Sequence, residues 1–494
     1  MAKTFGLSHL FMTIFLHHFS TFMVIPAITD VTMSALCPGR DECSLAIYLT
    51  GFQQAIIGLG TLVMMPLVGN LSDKYGRKAL LMVPMCLTII PLAILAYSRT
   101  RGFFYAYYIL RTLTAMVCEG SVHCLSLAYV ADNVPEGRRA SVFGILSGMG
   151  SCAFVCGNVS TRFLSTSSTF QVATSVAFVA ALYMRIFLPD SIRDGILYTP
   201  ILSKGKADIN CPVEEKDSTN KVQLFEGLPS IEDMVFLLKS STTFSQAAVV
   251  AFFSNLADLG LHASMMYYLK AKFHFNKNQF ADLMVISGIA GTISQLLLMP
   301  ILAPVLGEER LLSIGLLFNC AHVCNSLPFA KHTVSPIIVC FCTALRGPSG
   351  YFFFATSLTI TTYILVVIIV NILNMTGYLM QRLYSPFFSF LHIHVNFGNV
   401  QMRTIVSKQV GSCEQGKAQG CISGICSLAS VVSPLAFSPL TALFLSERAP
   451  FNFPGFSIMC IGFASMIAFI QSIMIRAAPR IPFQRVSCCN SSLA

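Results

Sequence analysis

Long apolar stretches alternate with short polar ones along almost the whole chain. Each apolar stretch has about 20 residues, the length that a helix needs to cross the hydrocarbon core of a bilayer. The pattern therefore predicts an all-α polytopic membrane protein with twelve transmembrane helices, arranged as two bundles of six. The predicted spans cover residues 7–29, 45–69, 79–98, 103–131, 140–164 and 169–188 in the first half, and 244–270, 279–306, 310–330, 334–349, 418–445 and 452–475 in the second.

The polar stretch between the two sets, residues 189–240, carries much of the acidic character of the chain, as in "VEEKDS". Its hydrophobicity is too low to span a membrane or to build a core. We expect an N-terminal six-helix bundle at 1–188, a cytoplasmic linker at 189–240, a C-terminal six-helix bundle at 241–475 and a cytoplasmic tail at 476–494.

Composition agrees with a lipid environment. Only 11% of the residues are charged and 54% are hydrophobic, whereas a soluble domain has roughly 25% charged residues. The net charge of +10 is spread over short loops, which is typical of positive cytoplasmic loops and disfavours nucleic-acid binding. We expect both termini and the loops at 69–79 and 131–140 to be cytoplasmic, and the protein to be a monomer in the bilayer.

The two halves resemble each other weakly, as expected for a membrane protein built from an internal duplication. "MMPLVGNLSDKYGRKALLMVPMC" from Met64 matches "LMPILAPVLGEERLLSIGLLFNC" from Leu298, and "PEGRRASVFG" from Pro135 matches "CEQGKAQGCISG" from Cys413. The two matches occur in the same order in each half. This order indicates an internal repeat.

Residues 351–401 have no counterpart in the first half. One interpretation is a translated retained intron, since joining Ser349 to Met402 would restore one helix of ordinary length. The other is a real additional span at 351–373 followed by a loop. In the first case the chain is an alternatively spliced isoform, and an inactive isoform is one of the possible outcomes.

One loop concentrates charge in this apolar chain: "GNLSDKYGRKALL". A glycine before the loop allows two helices to approach closely, and a glycine inside it permits a tight turn. An aspartate can accept backbone hydrogen bonds at a helix N-terminus, and basic residues hold a loop in the cytoplasm. The spacing of Gly69, Asp73, Gly76, Arg77 and Lys78 resembles the loop signature of the major facilitator superfamily.

A second stretch, "AYVADNVPEGRRASVFG", is similar to the end of the fourth helix in tetracycline-resistance-type drug/proton antiporters and in the hippocampus abundant transcript-like proteins. Plant members of that branch resemble this chain through "SKQVGSCEQGKAQGCISG" and "SPLTALFLSE". The resemblance implies that Asp132 pairs with Arg77 and joins Asp73 in a cytoplasmic charge network that latches one conformation.

The chain departs from the antiporters in the fifth helix. It has "VCGNVSTRF" where the antiporter signature has a Gly-Pro and paired glycines, so proton antiport does not follow from the resemblance. Arg111, in "LRTLTAMVCEG", resembles the start of the family's proton motif and is a candidate transport residue.

Ionisable groups inside a membrane are expensive and usually face a cavity or a partner. Glu119 and His123 are four apart in the fourth predicted span and would share one helix face, while Arg111 is too far along that helix to pair directly with Glu119. Asp258 and His262 repeat the four-residue spacing in the seventh span. These residues are candidates for coupling or substrate binding, and permanently paired structural groups are the alternative.

The 18 cysteines show no metal-binding spacing. Cys37 and Cys43 flank a short polar loop and would form a disulfide if that loop faces an oxidising compartment. No nucleotide-binding loop or hydrolase motif is present in the sequence, so we expect no enzyme and no cofactor.

The sequence thus favours a secondary active transporter of a small solute or drug, with protons as candidate co-substrate. The alternative is a non-transporting receptor or sorting protein of internal membranes. Plasma membrane, vacuole and endomembrane are all compatible with the sequence.

Overall fold

The computed structural model describes residues 2–36, 38, 44–189, 238–239, 241–273, 285, 288–325, 398–411, 414–445, 449–450 and 455–477. Cys37, Cys43, the central linker, the tail and most of the predicted insert lie outside these residues. Within the described part of the chain the secondary structure is helical and contains no strand.

The first half contains eight helical segments, and the described residues of the second half contain six. The segments are α1 (Ala2–Phe22), α2 (Val24–Leu36), α3 (Ser44–Tyr75), α4 (Arg77–Tyr97), α5 (Arg101–Cys118), α6 (Ser121–Asn133), α7 (Glu136–Ser160), α8 (Thr166–Phe187), α9 (Thr242–Phe273), α10 (Gly288–Leu306), α11 (Glu308–Asn325), α12 (398–409), α13 (Gln415–Leu445) and α14 (Phe456–Ala477).

Ten spans in the described residues are long and apolar enough to cross a membrane. They match ten of the twelve predicted spans with shifted ends. Large apolar side chains such as Val63, Phe178 and Leu435 point away from the protein, as lipid-facing residues do. The prediction of an all-α polytopic membrane protein is confirmed.

Two predicted helices are each interrupted. The first span continues through Met23 from α1 into α2, and the fourth is broken between Cys118 and Ser121. At the second break Gly120 has a φ of +82°, a conformation that glycine adopts readily and other residues rarely do. The fourth span is therefore two helices, α5 and α6, rather than one.

Helix α3 is longer than predicted. It continues through the first part of the charged loop to Tyr75, and α4 begins at Arg77. Gly76 alone makes the turn, with a φ of +92°. Asp73 consequently lies in the last turn of α3 rather than in a loop.

The second half repeats this corner. Gly307, with a φ of +78°, separates α10 from α11. An ungapped alignment of the two repeated sequences pairs Gly307 with Asp73. In the backbone, however, Gly307 is the equivalent of Gly76, because the second repeat reaches the turn between its two helices three residues earlier than the first.

The two halves meet along two seams, α3 with α13 and α7 with α10. The α3–α13 seam brings backbones into direct contact, because a Cβ atom on Gly420 would lie 2.6 Å from the carbonyl oxygen of Met65. The α7–α10 seam is made by side chains, with Met299 packed against Gly144. The residues that close both seams near the Gly76 corner define the candidate site.

Candidate functional site

Arg77 is the centre of a buried ionic cluster at the first corner. Its Nε donates to Asp132 at 2.8 Å, its Nη2 pairs with Asp73 at 2.5 Å, and its Nη1 donates to the hydroxyl of Ser72 at 2.5 Å. The Arg77 side chain is only 5% exposed. Two carboxylates therefore compensate one buried guanidinium, and we call Ser72, Asp73, Arg77 and Asp132 the corner cluster.

Asp73 also reaches the other half of the protein. Its two carboxylate oxygens accept hydrogen bonds from the backbone N–H groups of Gly416, at 2.9 Å, and Lys417, at 2.7 Å. These residues form the first turn of α13, where N–H groups have no partner within the helix and the helix dipole favours a negative charge. Asp73 thus joins Arg77 in the first half to a helix N-terminus in the second.

Glycines make this approach possible. A Cβ atom on Gly69 would collide with the backbone of Gly416, and one on Gly416 would collide with Arg77 and Ser72. Lys78, by contrast, is half-buried beside the corner cluster and forms no hydrogen bond or ion pair with a described residue. The structure brings together all the predicted signature residues except Lys78.

A second polar contact joins the halves nearby. Arg139, at the start of α7, is buried and donates from Nη1 to the carbonyl oxygen of Ser407 at 2.9 Å and to its hydroxyl at 3.1 Å. The Ser407 hydroxyl in turn donates to Gln415 at 2.8 Å. Sequence reasoning missed Arg139, although it lies in the quoted "PEGRRASVFG" stretch.

The second corner has its own ion pair with the signs reversed. Glu308 follows Gly307 as Arg77 follows Gly76, and it pairs with Lys408 at 2.7 Å. In the first half the corner residue is a cation and its partner an anion, while in the second half the corner residue is the anion. The Glu308–Lys408 pair stays within the second half.

Arg111 and Glu119 form an ion pair with 3.6 Å between Nη2 and Oε2. The prediction that they are too far apart is wrong, because α5 ends at Cys118 and Glu119 leaves the helical path. Both side chains are partly exposed, at 26% and 45%. Glu119 therefore has a cationic partner in its own half.

The break also separates Glu119 from His123. Since Gly120 begins a new helix, the two residues do not share a helix face as predicted. His123 is instead within electrostatic range of His18 on α1 and Arg403 on α12. The expected Glu119–His123 pair is thus not supported by the backbone.

Asp258 and His262 do lie one turn apart on the continuous helix α9. Asp258 accepts a hydrogen bond from the side-chain amide of Asn319 at 3.1 Å, while His262 is exposed. Asn319 lies on α11, so this contact links two helices of the second half.

Arg403, on α12, is a further cation that sequence reasoning did not single out, and its head group lies against the membrane-spanning helix α13. Its Nη1 donates to the Gln419 side-chain oxygen and to the Ser423 hydroxyl, both at 3.2 Å. The sequence did carry a signal for Arg403, because a lone arginine follows a long apolar run. This arginine lies just beyond the predicted insert at 351–401. No group of three or more metal-ligating side chains occurs among the described residues.

Fold and site together define a helical integral membrane protein of two halves, joined at one end by a buried charge cluster. A family model described as Major Facilitator Superfamily matches residues 10–364. The chain belongs to this superfamily. It is a multi-pass membrane protein of a family of transporters, with the twelve-helix, two-bundle fold of that family.

Curated relatives are distant. The chain is 23% identical to Hippocampus abundant transcript 1 protein of Mus musculus over 276 residues, which cover 55% of this chain and 51% of the relative. It is 23% identical to Multidrug resistance protein 2 of Bacillus subtilis over 294 residues, covering 59% of this chain and 67% of the relative. The matched region thus spans about half the length of the hippocampus abundant transcript relatives.

Solved structures agree on the fold. The human organic anion transporter MFSD10 (TETRAN) superposes with a TM-score of 0.66 at 15% identity, over 96% of this chain and all of that chain. The transporter FucP in the outward conformation superposes with a TM-score of 0.60 at 10% identity, over 96% and 99% of the two chains.

Proposed function

We propose that this chain is a secondary active transporter that moves a small solute by alternating access, with the corner cluster as the latch of one conformation. The bridge made by Asp73 is the observation that carries the proposal. A carboxylate that pairs with Arg77 in one half and with the α13 N-terminus in the other stabilises only the state in which both are adjacent. Opening this end of the protein must break that bridge.

The side of the membrane follows from charge. Lys and Arg residues near the corner favour a cytoplasmic location, so the latched state would be closed toward the cytoplasm. Arg139 and Ser407 would reinforce the same state, because their hydrogen bonds also cross between the halves. Rocking of one bundle against the other would release both contacts.

Proton coupling would use ionisable groups inside the membrane. Glu119 is the first candidate because it is partly exposed and its partner Arg111 lies on the preceding helix. Asp258 is the second, and His123 the third. The similarity to the hippocampus abundant transcript proteins supports that branch of the superfamily, and a plant member remains our sequence-based prediction.

Flux in proteoliposomes tests the proposal. The purified full chain would be assayed at two pH values with a sugar, an organic anion and a lipophilic drug, the solute classes that the names of similar carriers suggest. We expect saturable flux of at least one class. A well-folded protein that moves none of them would favour the receptor or sorting function.

A fluorescent reporter can test the proposed opening of the latch without a known solute. The chain contains no tryptophan, so Tyr75→Trp introduces a single tryptophan, which can be excited selectively, at the corner where the native side chain is 49% exposed. We expect its emission to change when the latch opens. An emission that is insensitive to every latch mutation would contradict the proposed role of the corner cluster.

A further inference from the structure

We propose that Arg403 binds the carboxylate group of the transported solute, so that the substrates are small organic anions. This inference rests on the proposed transporter function and specifies its substrate class. It starts from the charge balance of the buried and half-buried arginines in the described residues.

Arg403 differs from Arg77 and Arg111 in its partners. Arg139 also donates only to neutral groups, but it does so from both Nε and Nη1 at a buried position. Arg77 is compensated by Asp73 and Asp132, and Arg111 by Glu119. The guanidinium of Arg403 has only neutral hydrogen-bond partners among the described residues. These are the side chains of Gln419 and Ser423.

A cation without a carboxylate partner is unfavourable at this depth. Charged residues within transmembrane segments usually pair with each other or mark a substrate path. Both hydrogen bonds that the Arg403 head group makes to described residues come from a single nitrogen, Nη1. A guanidinium has five N–H donors in a planar fork that matches a carboxylate bidentately, so donors remain for a ligand.

The position of Arg403 suits a substrate site. Its partners Gln419 and Ser423 lie one and two turns into α13 from Gln415, or about 6 and 12 Å at the helical rise of 1.5 Å per residue. Gln415 itself belongs to the contact with Ser407 at the latch end. Arg403 is therefore just inside the closed end, where a solute would rest against the latch.

Both halves contribute to this position. Arg403 and Ser423 belong to the second half, whereas His123 and Cys124 of α6 belong to the first and lie within electrostatic range of Arg403. Cys124 also shares a hydrogen bond with Ser423. A ligand on Arg403 would contact both bundles, as alternating access requires.

No carboxylate of the described residues pairs with Arg403. Asp73 shares Cys124 with Arg403 as an electrostatic neighbour, but its bonds go to Arg77 and to the α13 N-terminus. Asp258 shares Cys426 with Arg403 as such a neighbour. Its described hydrogen bond goes to Asn319, and no ion pair links it to Arg403.

The test compares carboxylates with neutral amides of the same shape. Thermal unfolding of the purified full chain would be followed with benzoate, lactate and glutarate, each beside its amide, at constant pH and ionic strength. Ligands that bind the native state raise the unfolding temperature. We expect at least one carboxylate to stabilise the wild-type protein more than its amide does.

Variants locate the binding group. Arg403→Gln should weaken the effective carboxylate by at least tenfold, while Arg185→Gln, which removes an exposed arginine of α8, should leave its affinity unchanged. Arg403→Lys keeps the charge and loses the planar fork, so it should bind the same carboxylate several-fold more weakly. It provides the decisive comparison if Arg403→Gln does not fold.

Two results would overturn the proposal: no carboxylate in the panel exceeds its amide, or the affinity is unchanged in both Arg403 variants. The Tyr75→Trp reporter keeps this outcome separate from the transporter function. Latch opening and flux of an uncharged solute without carboxylate binding would remove the anion site and leave the transporter standing.

Discussion

Asp73→Asn is the sharpest perturbation of the latch, because it changes charge with almost no change in volume. Asp73 forms one ion pair with Arg77 and accepts two backbone hydrogen bonds from α13. Asparagine presents one amide oxygen and one amide NH2 group in place of the two oxygens. The NH2 group is a donor and cannot accept from a backbone N–H, so at least one of the two bonds is lost and the other loses its charge.

The size of the effect follows from these contacts. A hydrogen bond to a charged group contributes about 1.5–3 kcal/mol, and a negative charge at a helix N-terminus contributes up to about 2 kcal/mol in partly buried geometry. The Asp73 side chain is 10% exposed, so solvent screening is weak. Because the terms overlap, we expect the latched state to lose about 2–4 kcal/mol, which corresponds to roughly 30- to several-hundred-fold in the ratio of latched to unlatched protein.

The assay uses the Tyr75→Trp reporter in proteoliposomes. Asp73→Asn should shift the emission toward that of the unlatched state and impair flux, while the protein still inserts and purifies normally. Asp30→Asn is the matched control, since Asp30 is an exposed carboxylate on α2. Wild-type emission together with wild-type flux in Asp73→Asn would refute the latch.

Further predictions concern the seam, the second corner and coupling. Gly69→Ala should disfavour the latched state strongly because its Cβ would meet the α13 backbone, whereas Gly51→Ala, with open space around it, should not; reporter emission of the two variants decides. Glu308→Lys and Lys408→Glu should each lower the unfolding temperature, and the double swap should restore most of the loss, with about 1 kcal/mol of coupling for this partly exposed pair; strict additivity would show that the pair contributes nothing. Glu119→Gln should make uptake independent of pH, and unchanged pH dependence would remove Glu119 from coupling.

Hydrophobic runs were enough to predict the ten spans of the described residues, and the charged motif together with the family resemblance predicted Asp73, Arg77 and Asp132 of the corner cluster but not Ser72. Lengths of apolar runs are set by the bilayer, and five spaced signature residues are a specific pattern. The break after Glu119 was not predictable in the same way. Hydrophobicity continues through Gly120, and a single glycine inside a helical pattern is a weak signal.

Contacts between the halves were the least predictable part of the site. The hydrogen bonds of Asp73 to Gly416 and of Arg139 to Ser407 join residues more than 260 positions apart. Their donors and acceptors are partly backbone groups, which leave no trace in side-chain chemistry. Sequence separation and backbone partners together explain why these contacts were missed.

Only the end of the predicted insert lies within the described residues. Residues 398–401 are helical and continue into α12, and Gln401 contacts the sulfur of Met299 at 3.0 Å. These four residues pack as part of helix α12. The remainder of the insert lies outside the described residues, and its origin stays a prediction.

The two seams differ in what separating them would break. Along α3 and α13, parting the halves exposes a buried carboxylate and two helix-end N–H groups, which is an abrupt, all-or-none loss. Along α7 and α10, flexible side chains such as Met299 can slide and repack with little change in energy. The two seams therefore have different mechanical roles. We expect the α3–α13 seam to separate abruptly while the α7–α10 seam stays in contact and acts as the hinge, so that the two halves rotate about one side of the protein.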